Sequence, residues 1–255
     1  MPTYEIYALK YAGPLTSSGA LLMWFRDWET TETRNYYIWV VRGEGRCFVV
    51  DTGVAPEDAE KRTINGYVSP VEVLGRIGID ARDVEHVILT HLHWDHIGGV
   101  RLFPRARFYV QREEYRFWTS DPIARRPPFR AVADEAACRY LRTLEGSERL
   151  ALLDGDRQIA PGIECLLAPG HTPALQAVAV ATAGGTAILG SDCAHVFRNY
   201  REDWPSSLIC DLVPWMKTYD KLRQKATRLD LLFPGHDPKM TSDYPEVAPE
   251  VTRLV

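Results

Sequence analysis

Three of the seven histidines in this 255-residue chain fall within the six residues from His91 to His96. They directly follow the run from His86 to Thr90, which is apolar and β-branched, as expected of a buried strand. The cluster is therefore predicted to lie in a loop at the end of a strand. Gly98 and Gly99 follow it, and we expect them to let the backbone turn sharply at little steric cost.

The residue types in this cluster suit a metal site. Neutral imidazoles and a carboxylate are ligands that Zn²⁺ accepts. The i, i+2 spacing lets His91 and His93 point the same way from an extended segment, and Asp95 and His96 can then reach a second ion beside the first. The cluster predicts the beginning of a two-metal site.

Three later segments place a metal-competent side chain beside glycine, where a strand meets a loop. They are Pro169-Gly170-His171-Thr172, Gly190-Ser191-Asp192 and Pro234-Gly235-His236-Asp237. Together they supply one histidine for the first metal, a carboxylate able to bridge, and one histidine for the second metal. This set supplies enough ligands to complete two metal sites and leaves room for a water molecule at the metals.

The remaining pattern predicts strands alternating with helices. A hairpin is expected from Tyr36–Val41 and Cys47–Val50, delivering the chain to Asp51-Thr52-Gly53, and Ser69 should cap a helix over 70–77. Further strands are predicted at 108–110, 163–167, 177–181, 186–189 and, as the last strand, 231–233, and helical spacing marks 132–144 and 212–222. The order suggests two β-rich halves covered by helices.

Length and charge limit the classes of function. One domain over residues 1–255 is expected at this length. A net charge of -4 and a pI near 6.0 provide no basic field for phosphates, so no nucleic-acid partner is expected. The apolar run Ala20–Phe25 is far too short to span a bilayer, so no membrane association is expected and the protein is predicted to be cytoplasmic. The five cysteines include no C-x-x-C pair and are predicted to be core residues.

The motif His91-x-His93-x-Asp95-His96, followed by His171, Asp192 and His236, resembles that of the metallo-β-lactamase superfamily over about residues 36–240. The resemblance implies an α/β fold, a four-layer αββα sandwich with the metals at one edge between two sheets. It assigns His91, His93 and His171 to one zinc ion and Asp95, His96 and His236 to the other, with Asp192 bridging. Asp51 would orient the site, and the same donors also accept Mn, Fe or Co.

Residues in and around the motif indicate which branch of the superfamily the chain resembles most. Oxygen-reducing diiron relatives carry a carboxylate where this chain has His93, which argues against iron redox chemistry. The run 90–99, the segment 110–115 and the ending 234–238 are most similar to N-acyl homoserine lactone lactonases and related lactonases. The resemblance implies a small-molecule substrate with an ester-type carbonyl, attacked by a hydroxide shared by two zinc ions, and a homodimer. The alternatives are another hydrolase on the same metals, for a thioester, a lactam or a phosphodiester, and a metal-binding regulator that no longer turns over.

The chain departs from the lactonase pattern at two places. Those lactonases generally place a tyrosine three residues after the bridging aspartate, where this chain has His195, and the segment after His171 lacks the Gly-His of many relatives. Asp95 and His195 are the candidate catalytic residues, because either could move a proton to the departing alkoxide. His195 could equally be a packing residue.

Other residues receive predicted roles. A lid or pocket insertion is expected near 118–146, with its rim at about 118–130, because a proline-rich, charged stretch there is hard to bury beside several aromatic residues. His86 and Cys193 are expected to be structural, and Asp237 to hydrogen-bond its loop rather than bind metal.

Overall fold

The alternation of side chains along one strand sets the layers of this protein. In the computed structural model, which describes residues 2–255, a strand runs over Thr31–Gly43. Its side chains divide between two cores, with Ile38 and Val40 in one and Trp39 and Val41 in the other. Because successive side chains of a strand point to opposite faces, an uninterrupted apolar run is buried on both faces of its sheet.

Thirteen strands over the described residues form two sheets. The first sheet has the order β12-β13-β1-β2-β3-β4-β5-β6, with β1 (Glu5–Ser18), β2 (Thr31–Gly43), β3 (Arg46–Val50), β4 (His86–Ile88), β5 (Arg107–Gln111), β6 (Leu150–Leu153), β12 (Glu246–Ala248) and β13 (Val251–Arg253). The second has the order β11-β10-β9-β8-β7, with β7 (Arg157–Ala160), β8 (Ile163–Leu167), β9 (Gln176–Thr182), β10 (Gly185–Ser191) and β11 (Leu232–Pro234).

Ten α-helical segments of the described chain accompany the sheets. They are α1 (Gly19–Leu22), α2 (Pro56–Arg62), α3 (Pro70–Gly75), α4 (Trp94–Ile97), α5 (Arg112–Ser120), α6 (Pro127–Arg130), α7 (Glu135–Arg142), α8 (Phe197–Glu202), α9 (Leu212–Lys225) and α10 (Lys239–Ser242). Within residues 2–255, no helix has both the length and the apolar character needed to cross a bilayer.

Three cores separate four layers. Val41 and Phe48 of the first sheet share a core with Val178 and Leu189 of the second. Helices α3 and α7 contribute to a core on the outer face of the first sheet, and α9 contributes Trp215 to a core on the outer face of the second. The predicted αββα sandwich is confirmed.

The direction of the strands brings the polar segments to one edge. β3, β4, β5 and β6 run parallel to one another in the first sheet, and β10 runs parallel to β11 in the second. Asp51 follows β3, the cluster at 90–96 follows β4, Asp192 follows β10 and His236 follows β11. Since parallel strands end at the same edge of a sheet, topology gathers these side chains at one edge of each sheet, and the core shared by the two sheets brings the edges together.

Several local expectations need correction. The 14-residue strand β1 was not predicted, and β12 and β13 follow the strand expected to be the last. Ser69 makes no side-chain capping bond, and its helix ends at Gly75. The histidine cluster is not wholly a loop, because α4 begins within it.

The segment expected to form a lid is helical. Residues 118–146 contain the end of α5, a 3₁₀ turn over Pro122–Arg125, and helices α6 and α7. The segment touches the histidine cluster, because Trp94 donates its backbone N–H to the carbonyl of Val132 at 3.0 Å. Its role as a lid stays a prediction, as does the single domain.

Candidate metal centre

The donor cluster is shaped by the change from extended chain to helix at His93. His93 has extended backbone angles and precedes α4, so His91 and His93 lie on the extended part while Asp95 and His96 lie on the helix. The carbonyl of His96 accepts hydrogen bonds from the N–H and the hydroxyl of Thr52, at 2.7 and 3.0 Å. This contact ties the cluster to the turn after β3.

Gly98 and Gly99, which follow the cluster, are not needed for the sharp backbone turn that was expected of them. Gly98 has φ -55° and Gly99 has φ -89°, which other residues also adopt. A Cβ on Gly99 would collide with the carbonyl oxygen of Thr52, and one on Gly98 would lie 3.2 Å from the carbonyl oxygen of Gly53. These glycines allow the turn at Thr52 to approach closely.

The first donor group consists of His91, His93 and His171. His93 Nδ1 lies 3.1 Å from His91 Nε2 and 3.0 Å from His171 Nε2. Ligands held at about 2.0–2.1 Å around a tetrahedral zinc ion are separated by about 3.3 Å, so the three nitrogens face a common point at nearly the right spacing.

The second donor group consists of Asp95, His96 and His236. Asp95 Oδ2 lies 3.6 Å from His96 Nε2 and 3.7 Å from His236 Nε2. The donor atoms of these three buried residues can meet at one ion. The two groups come from three separate segments of the chain, at 91–96, 171 and 236.

Asp192 lies between the two groups. Its Oδ1 is 3.1 Å from His236 Nε2 and 3.5 Å from His96 Nε2, while its Oδ2 is 3.4 Å from His171 Nε2 and 4.0 Å from His91 Nε2. Oδ2 also lies 3.3 Å from His236 Nε2, so this oxygen is near both groups and Oδ1 is near the second. The carboxylate as a whole lies between the two groups, as a bridging ligand would.

His195 also belongs to this cluster. Its Nε2 lies 3.3 Å from Asp192 Oδ2, and its ring lies 5.1 Å from that of His171 and 5.5 Å from that of His236. The side chain is fully buried, and neither ring nitrogen has a hydrogen-bond partner within the described residues. Burial holds the pKa of His195 well below its usual value, against the opposing effect of Asp192. The imidazole is neutral and has a free lone pair.

A buried carboxylate supports the second group. Asp51 Oδ2 lies 2.7 Å from His96 Nδ1, and Thr90 donates its N–H to Oδ1 and its hydroxyl to Oδ2, each at 2.7 Å. Burial alone would lower the pKa of His96, but the carboxylates of Asp95, Asp192 and Asp51 raise it to about 10. Asp51 thus lies where it can orient a ligand imidazole.

The donor set fits a pair of cations. His96 Nε2 and Asp192 Oδ1 are buried and have no hydrogen-bond partner among the described residues. Burial, followed by the neighbouring histidines, holds the pKa values of His91 and His93 well below their usual range, so both rings carry free lone pairs. Unpartnered polar atoms are costly in a protein interior, and metal coordination removes that cost.

Residues expected to be structural have structural contacts. The His86 ring stacks on Phe48 at 5.0 Å, away from the donor cluster. Asp237 accepts the backbone N–H groups of Phe197 and Lys239 at 2.8 and 2.9 Å. Burial raises the pKa of the Cys193 thiol, which disfavours the thiolate.

Glu114 and Tyr36 are two residues of the site for which the sequence predicts no specific role. Glu114 is completely buried and accepts four hydrogen bonds, whereas its neighbour Glu113 is exposed. Only the position of Glu114 in the first turn of a helix after a buried strand set it apart, and Glu113 shares that signal. The ring of Tyr36 lies 5.3 Å from that of His236, and its position on β2 indicated only a core residue.

A cavity of about 370 Å³ adjoins the donors. Tyr36 and Trp94 line it together with Leu15, Arg62 and Ile64, and the Arg62 guanidinium lies 4.3 Å from the Trp94 ring centre. None of the donor residues lines this cavity directly, and none lines a larger cavity of about 560 Å³ beside α5. The smaller cavity lies next to the site through Tyr36, whose ring is 5.3 Å from that of His236, and through Trp94, which lies between His93 and Asp95 in the sequence.

Comparisons with known proteins identify the family of this chain. Residues 32–236 match the model of the metallo-beta-lactamase superfamily. An N-acyl homoserine lactonase of a Bacillus species is 27% identical over 186 residues, covering 66% of this chain and 68% of the relative. N-acyl homoserine lactonase AttM of Azorhizobium caulinodans is 30% identical over 180 residues, covering 69% of this chain and 66% of the relative.

Solved structures resemble the whole chain. A quorum-quenching N-acyl homoserine lactone lactonase superposes with a TM-score of 0.79 at 21% identity, covering 98% of this chain and 99% of that one. AidC, a dizinc quorum-quenching lactonase in complex with a product, superposes with a TM-score of 0.72 at 20% identity, covering 92% of this chain and 88% of that one. At this identity the likeness establishes the fold.

Proposed function

Because this chain belongs to the metallo-β-lactamase superfamily, we propose that it is a dizinc hydrolase that opens lactones of the N-acyl homoserine lactone type or other cyclic esters. The observation that carries the proposal is the pair of donor groups with Asp192 between them. The family supplies the hydrolytic chemistry, and the lactonase relatives supply the substrate class.

The residues would divide between two zinc ions as their distances suggest. His91, His93 and His171 would hold one ion, and the second group would hold the other. When bound, such ions supply Lewis acidity toward a carbonyl oxygen and lower the pKa of water to near 7. Mn, Fe or Co would fit the same nitrogen and carboxylate donors, since selection among these metals depends on availability.

Asp95 is the proposed proton carrier. Opening a lactone breaks the bond between the carbonyl carbon and the ring oxygen, and the departing alkoxide must receive the proton that the attacking water loses. Asp95 is 8% exposed and Asp192 only 3%, so Asp95 presents the more accessible carboxylate of the cluster. A general acid must be within hydrogen-bond reach of the atom that it protonates.

His195 is the second proposed catalytic residue. It is neutral and lies beside Asp192, so it can donate a hydrogen bond to a carbonyl or to a leaving oxygen without being a cation. Its burial also allows it to act as an additional metal ligand together with His171 and Asp192. Metal analysis of a His195 variant separates these roles.

The cavity beside Tyr36 and Trp94 is the proposed place for the bound substrate. Aromatic and aliphatic walls suit an acyl chain, and the few polar groups of such pockets fix orientation. The insertion at 118–146 forms another wall in this proposal, because the Trp118 ring lies 5.1 Å from that of His93.

A substrate panel tests the proposed function. Zinc-loaded protein should hydrolyse lactones faster than thioesters, β-lactams and phosphodiesters, it should contain close to two metal ions per chain, and chelation should abolish the activity. The best turnover on another substrate class would replace the lactonase assignment, and a protein that binds metal but hydrolyses none of the panel would be a regulator. Full activity with one metal ion or none would refute the dinuclear mechanism.

We propose further that the protein is cytoplasmic and forms a homodimer. All five cysteines are unpaired in the described chain, which agrees with a reducing compartment such as the cytoplasm. A homodimer follows from the resemblance to lactonases, and sedimentation measured at several protein concentrations tests it.

A further inference from the structure

Glu114 is a buried carboxylate that the proposed chemistry does not use. It belongs to the first turn of α5, directly after β5, and its exposed fraction is zero. An ionised carboxylate is expensive to bury unless several donors compensate for its lost hydration. The hydrogen bonds that Glu114 accepts therefore indicate its role.

Each oxygen of Glu114 reaches a segment that carries metal donors. Oε1 accepts the backbone N–H of Leu92, which lies between His91 and His93, at 3.1 Å. Oε2 accepts the Thr172 hydroxyl at 2.8 Å and the backbone N–H of Ala174 at 3.0 Å, and Thr172 directly follows His171. One carboxylate thus joins the two segments that supply all three donors of the first group.

A fourth contact extends this connection to the side of His93. Trp118 donates its indole N–H to Glu114 Oε1 at 2.7 Å, and its ring packs edge-on against the His93 ring at 5.1 Å. Three of the four donors to Glu114 are N–H groups, which cannot accept a hydrogen bond, so both carboxyl oxygens serve as acceptors. Burial raises the pKa of Glu114, and its four hydrogen bonds oppose that rise.

We propose that Glu114 is a positioning residue that fixes the spacing of His91, His93 and His171 and thereby sets the affinity of the ion held by this group. The inference rests on the proposed dinuclear site. It follows from the 3.0 Å separation between His93 Nδ1 and His171 Nε2, which belong to segments far apart in sequence that Glu114 joins. The affinity of a metal site depends on how closely its unoccupied donors already match the bound geometry.

Glu114→Gln is the informative substitution, because it keeps the length and planar shape of the side chain. In either orientation the Gln NH₂ group faces at least one backbone or indole N–H. Two hydrogen-bond donors then face each other and repel. Asp134→Asn is the matched control. Asp134 is also a buried carboxylate that begins a helix, and it accepts only the N–H groups of Ala136 and Ala137.

The measurement is Zn²⁺ and Co²⁺ affinity, determined by competition with a chromophoric chelator. The parent should bind two ions, and Glu114→Gln should weaken one of them about 10- to 100-fold, as loss of a supporting hydrogen-bond partner usually does. Asp134→Asn should leave both affinities within about twofold of the parent. Trp118→Phe, which removes one donor, should shift the same ion in the same direction by less.

A double-mutant cycle distinguishes positioning from general stabilisation. Glu114→Gln should add little to the metal loss caused by His171→Ala, since the first group is already broken, but it should add its full effect to that of His96→Ala. Equal additivity in both backgrounds, or Glu114→Gln affinities within twofold of the parent, would overturn the role of Glu114. A parent that binds fewer than two ions would instead refute the proposed function.

Discussion

The two donor groups are supported in different ways. In the second group, His96 Nδ1 contacts the Asp51 carboxylate at 2.7 Å, and His236 Nδ1 contacts the carbonyl of Asn35 at 2.8 Å. In the first group, His91 Nδ1 contacts the Thr90 hydroxyl at 3.1 Å, and His171 Nδ1 contacts the carbonyl of Leu208 at 2.7 Å. Among these four Nδ1 atoms, only that of His96, in the second group, bonds to a carboxylate.

This difference indicates that the metal ligands of the two groups are supported by two different physical effects. A carboxylate that accepts the N–H of an imidazole fixes the tautomer and increases the basicity of the opposite nitrogen, so Asp51 acts on the electronic character of His96. Glu114 acts through the backbone beside the ligands of the first group. The second group is therefore expected to respond most to changes of charge, and the first to changes of geometry.

Asp192→Ala is expected to have the largest effect, because Asp192 is shared by the two groups. Its carboxylate lies 3.4 Å from His171 Nε2 of the first group and 3.1 Å from His236 Nε2 of the second, so its loss should release both ions together and abolish hydrolysis. Elemental analysis of the purified variant measures this. Cys193→Ser is the neighbouring control and should keep both metals and activity, and an equally severe loss there would assign the thiol a role.

His195→Ala should have the next largest effect. If the ring assists the carbonyl or the leaving oxygen, both ions should remain while kcat falls about a hundredfold or more. His195→Tyr should then restore part of the lactonase activity. Loss of one ion would make His195 a ligand, and an unchanged kcat with a lower melting temperature would make it a packing residue.

Asp51→Asn isolates the electronic support of the second group. Asp51 has φ +61°, which asparagine tolerates, so the backbone should be preserved. An amide NH₂ facing His96 Nδ1 would favour the tautomer whose Nε2 carries the proton and cannot bind metal. We expect one ion to bind about 10- to 100-fold more weakly, measured by chelator competition. Combining Asp51→Asn with His96→Ala should produce no further loss of metal affinity. Fully additive losses would show that Asp51 does not act through His96.

Thr90→Val should have the smallest effect and should act on both groups. The Thr90 hydroxyl lies 2.7 Å from Asp51 Oδ2, 3.1 Å from His91 Nδ1 and 3.0 Å from the hydroxyl of Ser191. Removing a hydrogen bond of this kind costs about 1 kcal/mol, which corresponds to about a fivefold change in affinity. Calorimetric titration should show both ions weakened by similar factors and Thr90→Ser close to the parent. An effect on a single ion would contradict the shared position of Thr90.

The candidate metal donors could be predicted from the sequence more completely than the strands could. The metal-competent residues stand beside glycine or at strand ends, and this pattern is local, so it can be read without a fold. Strand β1 pairs with β13 near the other end of the chain, and Gly13 and Pro14 interrupt its sequence pattern, so no local signal predicted a strand of 14 residues. The αββα sandwich was predicted from the resemblance, since periodicity indicated only two β-rich halves.

The sequence by itself determined which residues can bind metal, because side-chain chemistry and spacing near a strand end belong to the chain alone. The tertiary structure decided how those residues are held. Glu113 and Glu114 are adjacent and chemically identical, yet only Glu114 is buried between the segments of His91 and His171. That choice depends on which face of α5 meets two segments distant in sequence, and such contacts form only when the sheets pack together.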